Sequence, residues 1–493
     1  MNLEKTKPKQ RFPDEYSIDP TKLAAGRYGT LDMVEVWGPE QTFEFSLKVQ
    51  GQSALTLSRL HPDIISADLA SEISERASLD HIDPNRIREL EDLKGHDVIA
   101  INLSLEEAVS EKARPHINQA RTSADTTQSA KSLQIKKSLE VITDTVENLR
   151  DILLEKSIEW IDVVHMDNTH GYDAVPSVAG RAFSHYAEML QSGLKLLKFV
   201  YENSMIGKWG DVTGNHHSAK ELGIDGICLQ KEYCNDLGLG FMDAAAQVPG
   251  LEFDADVTYV VVRLSETINN IANYIAWGRS DDVNIFINNN PKKRKGSSGM
   301  PHKDAKNGNP IDEEQVMSLR NYFQGNMMTS LANCEFPYAR NLAASANSRI
   351  NLEDGFKFFD HSVRNLSNIV YWLGLREERC KERVERSYGV VTSEKVLTYV
   401  TDHRKVKDPM IRSEAHDLLG KLAKYAWDNK IPFIDVLLGN ERVNGLVDQD
   451  TLRRLADPFD YIGESKEIVR RVYEKYHNKK TLEDIGGLKW LKV

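Results

Sequence analysis

The sequence has few of the residues that mark linkers and none of the long apolar runs that mark membranes. Its 493 residues include only 30 Gly and 16 Pro, which leaves little room for low-complexity linkers. No stretch approaches the roughly 18 consecutive apolar residues of a spanning helix. The charged residues 1–16 contain no apolar core of a secretion signal. We therefore expect a cytoplasmic protein that does not engage a membrane.

Cysteine pairs and an excess of positive charge are also lacking. The four cysteines form no CxxC motif, so zinc and redox sites are not indicated and buried, reduced thiols are expected; they are Cys228, Cys234, Cys334 and Cys380. Lys and Arg number 63 against 74 Asp and Glu, a net charge of −11. This balance argues against a nucleic-acid partner. It does not exclude a small anionic substrate, because a local pocket can be basic in an acidic protein.

What the sequence does contain is helical periodicity. Apolar residues recur every three or four positions from Ile135 to Leu153 and from Val257 to Ile275. Such spacing lays one apolar seam along a long helix. Shorter seams predict helices near 186–197 and 358–373, and alternating strand patterns are scarce. We therefore predict an all-α protein with a central helix bundle, whose seams can also bind further copies of the chain.

The length predicts roughly three domains at about 150 residues each. We place a mostly helical N-terminal domain at 1–120 and the long-helix bundle at 121–372. A small helical domain occupies 373–493, where Pro409, Pro432 and Pro458 interrupt the pattern. This division is an expectation from composition and spacing.

One polar segment, residues 287–312, interrupts the helical pattern. It reads INNNPKKRKGSSGMPHKDAKNGNPID and gathers Gly, Pro and a Ser pair in a chain that otherwise uses Gly and Pro sparingly. A long loop of this kind is usually either disordered or functional. Its basic run at 292–295 could be a targeting signal or a nucleic-acid contact. It could also be a solvated face, or add positive potential to an anion site beside the Gly-Ser-Ser turn.

This segment carries the first of several resemblances. GSSGMPHK (296–303), followed by Asn309 and Pro310, resembles the GSSxMPxKxNP signature of the fumarase/aspartase superfamily. DAKNG (304–308) stands where that signature has one residue, so we infer a four-residue insertion in the loop. TSAD (122–125) and THGYDAVPSVAGR (169–181) resemble the two other superfamily signatures in the expected order. In the latter, Tyr172 and Asp173 replace the usual Gln-Pro.

Three further blocks are similar to those of the adenylosuccinate lyases of that superfamily. They are RYGTLDMVEVW (27–37), KGHDVIA (94–100) and RNLAASANSR (340–349). The resemblance covers most of residues 27–360 as scattered blocks. It implies a three-domain helical fold in which long helices from four subunits form the core of a homotetramer. It also implies active sites that combine blocks from different chains.

The chemistry implied by the resemblance is a β-elimination that releases fumarate, with adenylosuccinate or the related succinyl-carboxamide ribonucleotide as substrate and no metal or cofactor. Such a reaction needs a base, an acid and a cation for the charge that gathers on a carboxylate. By resemblance Ser297 is the base, activated by backbone N–H groups of its turn and by Lys303. His170 is the acid to the departing nitrogen. Lys303 also neutralises the carboxylate, with Asn309 beside it if the insertion allows.

The resemblance also assigns the residues that bind substrate. Hydroxyls for the succinyl carboxylates come from Thr122, Ser123 and Ser298. The substrate is placed by His96, with Asp97 and Thr169 from the same blocks. Guanidinium forks and hydroxyls suit a phosphate dianion, and the implied phosphate set is Arg27, Tyr28, Arg340, Ser345 and Arg349. Thr122 and Ser123 could also cap the helix that follows them.

Two alternatives stay open at this point. Tyr172, Asp173 and the lengthened loop are compatible with a different lyase of the superfamily, such as one that splits argininosuccinate, or with a carboxymuconate-type cycloisomerase. The other alternative is a non-catalytic relative with a structural or binding role. The presence of Ser297, Lys303 and His170 argues against that second alternative.

Overall fold

The computed structural model describes residues 28–38, 40–291, 297–305, 308–335, 337–338 and 340–478. Its first part contains the helices α1 (Leu31–Trp37), α2 (Gln41–Leu60), α3 (Ala67–Arg76), α4 (Pro84–Lys94) and α5 (Asp97–Ala108). Side chains of Ser66 and Asp83 cap α3 and α4 by accepting backbone N–H groups. The indole of Trp37 donates to Ser138 Oγ at 2.7 Å, which fixes α1 to the centre of the protein.

Long helices form that centre. They are separated by shorter elements, in the order α6 (Ser123–Glu159), β1 (Val164–Thr169), β2 (Tyr172–Val178), α7 (Gly180–Asn203), α8 (His217–Glu221), α9 (Gly226–Asp236) and α10 (Glu252–Gly278). The two long predicted seams are confirmed: Leu139 and Leu149 of α6 and Leu264 of α10 are fully buried. At Gly193 of α7 a Cβ would lie 2.3 Å from Leu264 Cδ2, so glycine is needed for this close helix contact.

The bundle is completed by the polar segment and the elements that follow it. This part contains β3 (Phe286–Asn288), α11 (Pro301–Ala305), α12 (Ile311–Asn333), α13 (Ser345–Tyr371) and β4 (Leu373–Leu375). The shorter seams are confirmed as parts of α7 and α13. The all-α prediction holds for most of the chain but misses two antiparallel pairs, β1 with β2 and β3 with β4. Both are short connections between long helices, where the helical period gives no signal.

The C-terminal part has a separate hydrophobic core. Its helices are α14 (Glu377–Glu385), α15 (Ser393–Val400), α16 (Arg412–Asn429), α17 (Phe433–Leu438), α18 (Glu441–Asn444), α19 (Gln449–Leu455) and α20 (Ser465–Tyr476). Phe433 and Leu452 are fully buried in a cluster that spans residues 396–456. The α20 helix returns to the bundle and packs on α6 and α7. The domain boundaries after residues 120 and 372 stay a prediction.

Two further expectations can be compared with the described residues. None of the helices in the ranges given above is both long and apolar enough to cross a bilayer. The four thiols are free, but only Cys234 and Cys380 are buried, whereas Cys334 is half-buried and Cys228 is exposed. The expectation of buried thiols was therefore wrong for Cys228, because that side of α9 faces solvent.

The bundle has two distinct ends. At the first, which we call the Thr122 end, α6 begins and Lys131 contacts Asp254 near the start of α10 at 2.8 Å. Ser348, near the start of α13, donates to the same carboxylate at 3.2 Å. At the second, the hairpin end, α6 stops beside the β1–β2 hairpin and Trp160 stacks on Phe286 of β3 at 6.0 Å. The 37 residues of α6 separate the ends by about 55 Å at 1.5 Å per residue.

Candidate active site

The signature loop lies at the hairpin end, between β3 and α12. Ser297 Oγ accepts hydrogen bonds from the N–H groups of Met300 at 3.0 Å and Gly299 at 3.3 Å. The turn into α11 therefore offers two donors to negative charge on this oxygen. Ser298 is exposed beside it. The basic run at 292–295 lies outside the described residues.

The insertion leaves Lys303 and Asn309 together. Lys303 Nζ donates to Asn309 Oδ1 at 3.1 Å, and the Lys303 carbonyl accepts the Gly308 N–H at 2.7 Å. Arg279, at the end of α10, donates to the Gly308 carbonyl at 3.4 Å. Gly308, at the end of the insertion, is thus held by both Lys303 and Arg279. The Lys303 ammonium and the Asn309 amide stay in contact despite the extra residues.

His170 lies at the tip of the β1–β2 hairpin. Thr169 pairs with Tyr172, and the two residues between them, His170 and Gly171, have φ values of 53° and 83°. Two central residues with positive φ are typical of a type I′ turn, whose twist matches that of the strands. Thr169 and His170 are both exposed, so the imidazole is open to a substrate or to a second chain.

His96, Asp97 and Arg349 meet at the Thr122 end. His96 occupies the N-cap position of α5, with its Nδ1 3.2 Å from Asp97 Oδ1. Arg349 of α13 places Nη2 3.6 Å from Asp97 Oδ2, and its side chain is 72% exposed. An exposed guanidinium at this distance from a carboxylate can turn to bind a phosphate instead.

Thr122 and Ser123 begin α6, as the capping expectation requires. The Thr122 N–H donates to Asp125 Oδ2 at 2.8 Å, one half of a capping box. Asp125 also accepts the N–H groups of Gly210 and Asp211 at 3.0 and 3.2 Å. It forms an ion pair with Lys208, and both side chains are fully buried. This network fixes the start of α6 and leaves Thr122 and Ser123 half-buried.

Two phosphate candidates lie close to the start of α13. Arg340 has a φ of 70°, and its Nη1 donates to Gln247 Oε1 at 3.1 Å. Burial lowers the pKa of the Arg340 guanidinium. Ser345 is the first residue of α13 and precedes Arg349 by about one helical turn. The structure therefore places these residues in one region of the chain, around the Thr122 end.

The other two phosphate candidates are not placed there. Tyr28 packs edge-on against the rings of Phe358 and His361, with centroids 6.2 and 5.4 Å apart. These partners lie in the middle of α13, several turns from Arg349. Arg27 lies outside the described residues. The structure thus gives Tyr28 a packing role on the bundle and leaves its phosphate role a prediction.

The candidate residues form two groups rather than one site. His96, Asp97, Thr122, Ser123, Arg340, Ser345 and Arg349 belong to the Thr122 end, whereas Thr169, His170, Ser297, Ser298, Lys303 and Asn309 belong to the hairpin end. In the part of the chain that the structure describes, no hydrogen bond or ion pair joins His170 to Ser297 or Lys303. Among these residues the two groups stay at opposite ends of the bundle, which α6 spans over about 55 Å.

Sequence reasoning missed the residues that support these groups. Lys208 and Gln247 lie between recognised blocks, and each finds its partner far along the chain. Asp173 was noted only as a departure from the signature, yet it forms ion pairs with Arg383 at 2.7 Å and Arg386 at 2.9 Å. No local sequence pattern predicts such long-range ion pairs. The hairpin did have a signal, the His-Gly dipeptide between short apolar runs.

Comparisons with known families place this geometry in context. Residues 30–321 match the family described as Lyase, and residues 389–472 match the family described as Adenylosuccinate lyase C-terminus. The adenylosuccinate lyase of Methanocaldococcus jannaschii is 29% identical over 455 residues, which covers 92% of this chain and 96% of that protein. The adenylosuccinate lyase of Bacillus subtilis is 27% identical over 435 residues, or 88% and 95% of the two chains.

Solved structures show the same fold. A fumarate lyase from a Mesorhizobium species superimposes with a TM-score of 0.76 at 19% identity, covering 91% of this chain and 98% of that chain. The β-carboxy-cis,cis-muconate cycloisomerase of Acinetobacter calcoaceticus gives 0.76 at 16% identity, with coverage of 92% and 100%. At these identities the likeness concerns the fold alone.

Proposed function

This chain belongs to the lyase family whose model it matches over residues 30–321, and from that premise we propose that it eliminates fumarate from adenylosuccinate to give AMP. The related succinyl-carboxamide ribonucleotide of purine biosynthesis is the expected second substrate. The chain is an enzyme of the adenylosuccinate lyase type, as its C-terminal match and its relatives over about 90% of its length indicate. The substrate and the residue roles are the proposal.

In the proposed reaction Ser297 takes the proton from the carbon next to a succinyl carboxylate. The C–N bond on the neighbouring carbon then breaks, its electron pair leaves with the nitrogen, and a C=C bond forms to give fumarate. His170 protonates the departing nitrogen of AMP, and histidine suits this step because it ordinarily titrates near neutrality. The two N–H donors on Ser297 Oγ favour the alkoxide that a serine base requires.

The observation that carries the proposal is the contact between Lys303 Nζ and Asn309 Oδ1 at 3.1 Å. The elimination passes through a state with extra charge on one carboxylate, which needs a cation and a hydrogen-bond donor at the same place. The loop brings these two groups into contact with each other even with the insertion, and both follow Ser297 within the same loop. A solvated basic loop would not require this pairing.

The nucleotide part of the substrate is assigned to the Thr122 end. Arg349 and Arg340 offer guanidinium groups near Ser345, and His96 and Asp97 lie beside Arg349. Thr122 and Ser123 supply hydroxyls for the succinyl carboxylates from the start of α6. The names of the relatives support a purine nucleotide as the substrate, and no nucleic acid or membrane partner is proposed.

Oligomerisation follows from the separation of the two groups. A site that uses both Thr122 and His170 must combine at least two chains, since α6 is about 55 Å long. The bundle also exposes large apolar side chains on α10 and α12, among them Tyr259 at 48%, Met328 at 69% and Leu331 at 50%. Such a face is suited to contact with further copies of the chain. We infer a cytoplasmic homotetramer with shared sites.

The proposal is tested by mixing the purified protein with adenylosuccinate and measuring fumarate. We expect turnover by the unaltered chain and a fall of about 10²–10⁴-fold in kcat in Ser297→Ala and Lys303→Ala, the usual range for acid–base groups. Ser280→Ala, which removes an exposed hydroxyl bonded to the Trp277 carbonyl at the end of α10, is the matched control. No turnover of either ribonucleotide substrate would overturn the substrate assignment, and release of fumarate from argininosuccinate instead would support the alternative lyase.

A further inference from the structure

The turn that carries His170 is held in an unusual backbone conformation. His170 has a φ of 53° without being glycine, a region that is uncommon for residues with a Cβ, although Asn, Asp and His enter it more often than others. A non-glycine residue stays there only when its surroundings fix it. The two-residue turn alone does not supply this constraint, since isolated hairpins are marginal in water. Something beyond the turn must hold the hairpin in place.

A bulge in the hairpin places Asp173 opposite Asn168. The pairing register runs from Val164↔Val178 to Asp167↔Val175, then shifts to Asn168↔Asp173, so Ala174 is the extra residue on β2. Bulges of this kind redirect side chains next to functional sites. Asn168 Nδ2 donates to Asp173 Oδ1 at 2.9 Å across the strands. The two residues immediately outside the Thr169–Tyr172 pair are therefore linked by their side chains.

Two arginines from the C-terminal side complete this arrangement. Arg383 Nη2 lies 2.7 Å from Asp173 Oδ1 and Arg386 Nη2 lies 2.9 Å from Asp173 Oδ2. The Arg383 side chain is only 3% exposed and lies over the Trp277 ring, 5.4 Å from its centroid. Burial raises the pKa of Asp173, but the hydrogen bonds of Arg386, Arg383 and Asn168 and the charge of Arg383 outweigh it and hold that pKa below its usual range.

We propose that Asp173 is a positioning residue: held by Arg383 and Arg386, it fixes the turn that presents His170 to the substrate. This inference rests on the role proposed above for His170. We call the set of Asn168, Asp173, Arg383 and Arg386 the hairpin clamp. Through this clamp α14 supports the catalytic acid, although the helix lies far in sequence from the blocks at 169–181 and 296–310.

The clamp is expected to act on the rate of the reaction more than on binding. The phosphate and carboxylate candidates lie on other elements, and of the substrate-placing residues only Thr169 lies on the hairpin, so loosening it leaves most binding contacts in place. A displacement of the acid by about 1 Å can cost on the order of 10²-fold in rate. We therefore expect Asp173→Asn to lower kcat by about 10- to 100-fold with KM changed less than about twofold. Arg386→Ala, which removes the half-exposed guanidinium of the clamp, should lower kcat by less.

The matched control is Asp162→Asn. Asp162 pairs with Lys466 of α20 at 2.6 Å, so it also ties the chain before β1 to the C-terminal part, but it does not contact the clamp. We expect its kcat to equal that of the unaltered chain. In a His170→Ala background, Asp173→Asn should cause no further loss, because both changes act through one group. An equal loss in both backgrounds would show that Asp173 acts elsewhere and would overturn the proposal.

A second measurement does not depend on the substrate. Backbone hydrogen exchange of residues 164–178 should be at least about tenfold faster in Asp173→Asn and unchanged in Asp162→Asn, because local opening is set by local contacts. Unchanged exchange would overturn the clamp even if no lyase activity were found, and faster exchange in an inactive enzyme would leave the clamp standing while the proposed function failed. If Asp173→Asn does not fold, Arg386→Ala and its rescue by Arg386→Lys decide: loss with rescue supports the clamp, and no loss contradicts it.

Discussion

The two ends of the bundle support their candidate residues in different ways. At the Thr122 end the candidates lie at the starts of helices and rest on buried polar groups, of which Asp125 and Lys208 are fully buried. At the hairpin end His170 and Ser297 lie on turns, and the contacts that hold them come from loop partners and from the hairpin clamp. Helix starts give fixed binding geometry, whereas turns can approach a bound substrate. In the proposed mechanism, nucleotide binding therefore rests on helix starts with buried support, and proton transfer on turns held by side-chain contacts.

The strongest test of this division is complementation between variants of the two ends. His170→Ala should lower activity by about 10²-fold or more, and Arg349→Ala should lower it because a proposed phosphate contact is lost. Because Arg349 lies near the start of α13 at the Thr122 end and His170 lies on the hairpin beyond the other end of α6, a shared site takes them from different chains. Mixing the two variants in equal amounts with subunit exchange should then restore about a quarter of the activity, if chains combine at random in a closed oligomer.

The control for this test is a mixture of His170→Ala with Thr169→Ala, two changes that lie on one hairpin and always come from the same chain. Each site takes its whole hairpin from one chain, and every chain in this mixture carries one of the two changes. No site then has an unaltered hairpin, so no recovery is expected. Equal activity of the two mixtures, with exchange shown by mass spectrometry, would contradict the separation of the ends.

The next test removes the buried support of the Thr122 end. Asp125→Ala leaves the Lys208 ammonium fully buried without its carboxylate and also leaves the N–H groups of Gly210 and Asp211 without their acceptor. We expect the free energy of unfolding to fall by about 3–5 kcal/mol, measured by chemical denaturation. Lys208→Met should cost less, because Asp125 keeps its backbone donors. A larger loss in Lys208→Met than in Asp125→Ala would contradict this account of the network.

The two ends of the bundle also differ in how much of their structure the sequence predicts. The seams of α6 and α10 were predictable because helical periodicity is a local property of a few consecutive turns. Thr122 was predictable as a cap for the same reason. The pair Asp125–Lys208 was not, because its members lie 83 positions apart and many buried polar residues could have been partners. Packing alone decides which of them meet.

The hairpin end shows the opposite balance. The signature loop and THGYD could be recognised from their order, and the resemblance placed the expected acid and base on them. It could not show that Asp173 meets Arg383, 210 positions away, because that contact depends on how α14 docks. The insertion at 304–308 left the place of Asn309 open, and only the folded loop brings its amide to Lys303.

The smallest expected effect is a loss of folding stability at low pH, and the hairpin end should open first. His165 of β1 is buried, and burial, with Arg383 nearby and only partly offset by Asp173, lowers its pKa to about 4. Between that value and the ordinary pKa of about 6.5, the unfolded chain binds a proton that the folded chain does not. Folding stability therefore falls as the pH drops through this window, by about 2 kcal/mol at pH 5 for this group.

This dependence separates the ends when hydrogen exchange is followed from pH 7 to pH 5. Opening of residues 164–178 should increase by more than opening at the start of α6, once the intrinsic pH dependence of exchange is removed, because the group that takes up the proton on opening belongs to β1. His165→Gln cannot take up the proton but keeps a polar side chain at this position. It should reduce the slope of hairpin opening against pH. The hairpin packs against α14, so its loss of stability would also release the clamp on Asp173. A slope in His165→Gln equal to that of the unaltered chain would assign the acid sensitivity to other groups.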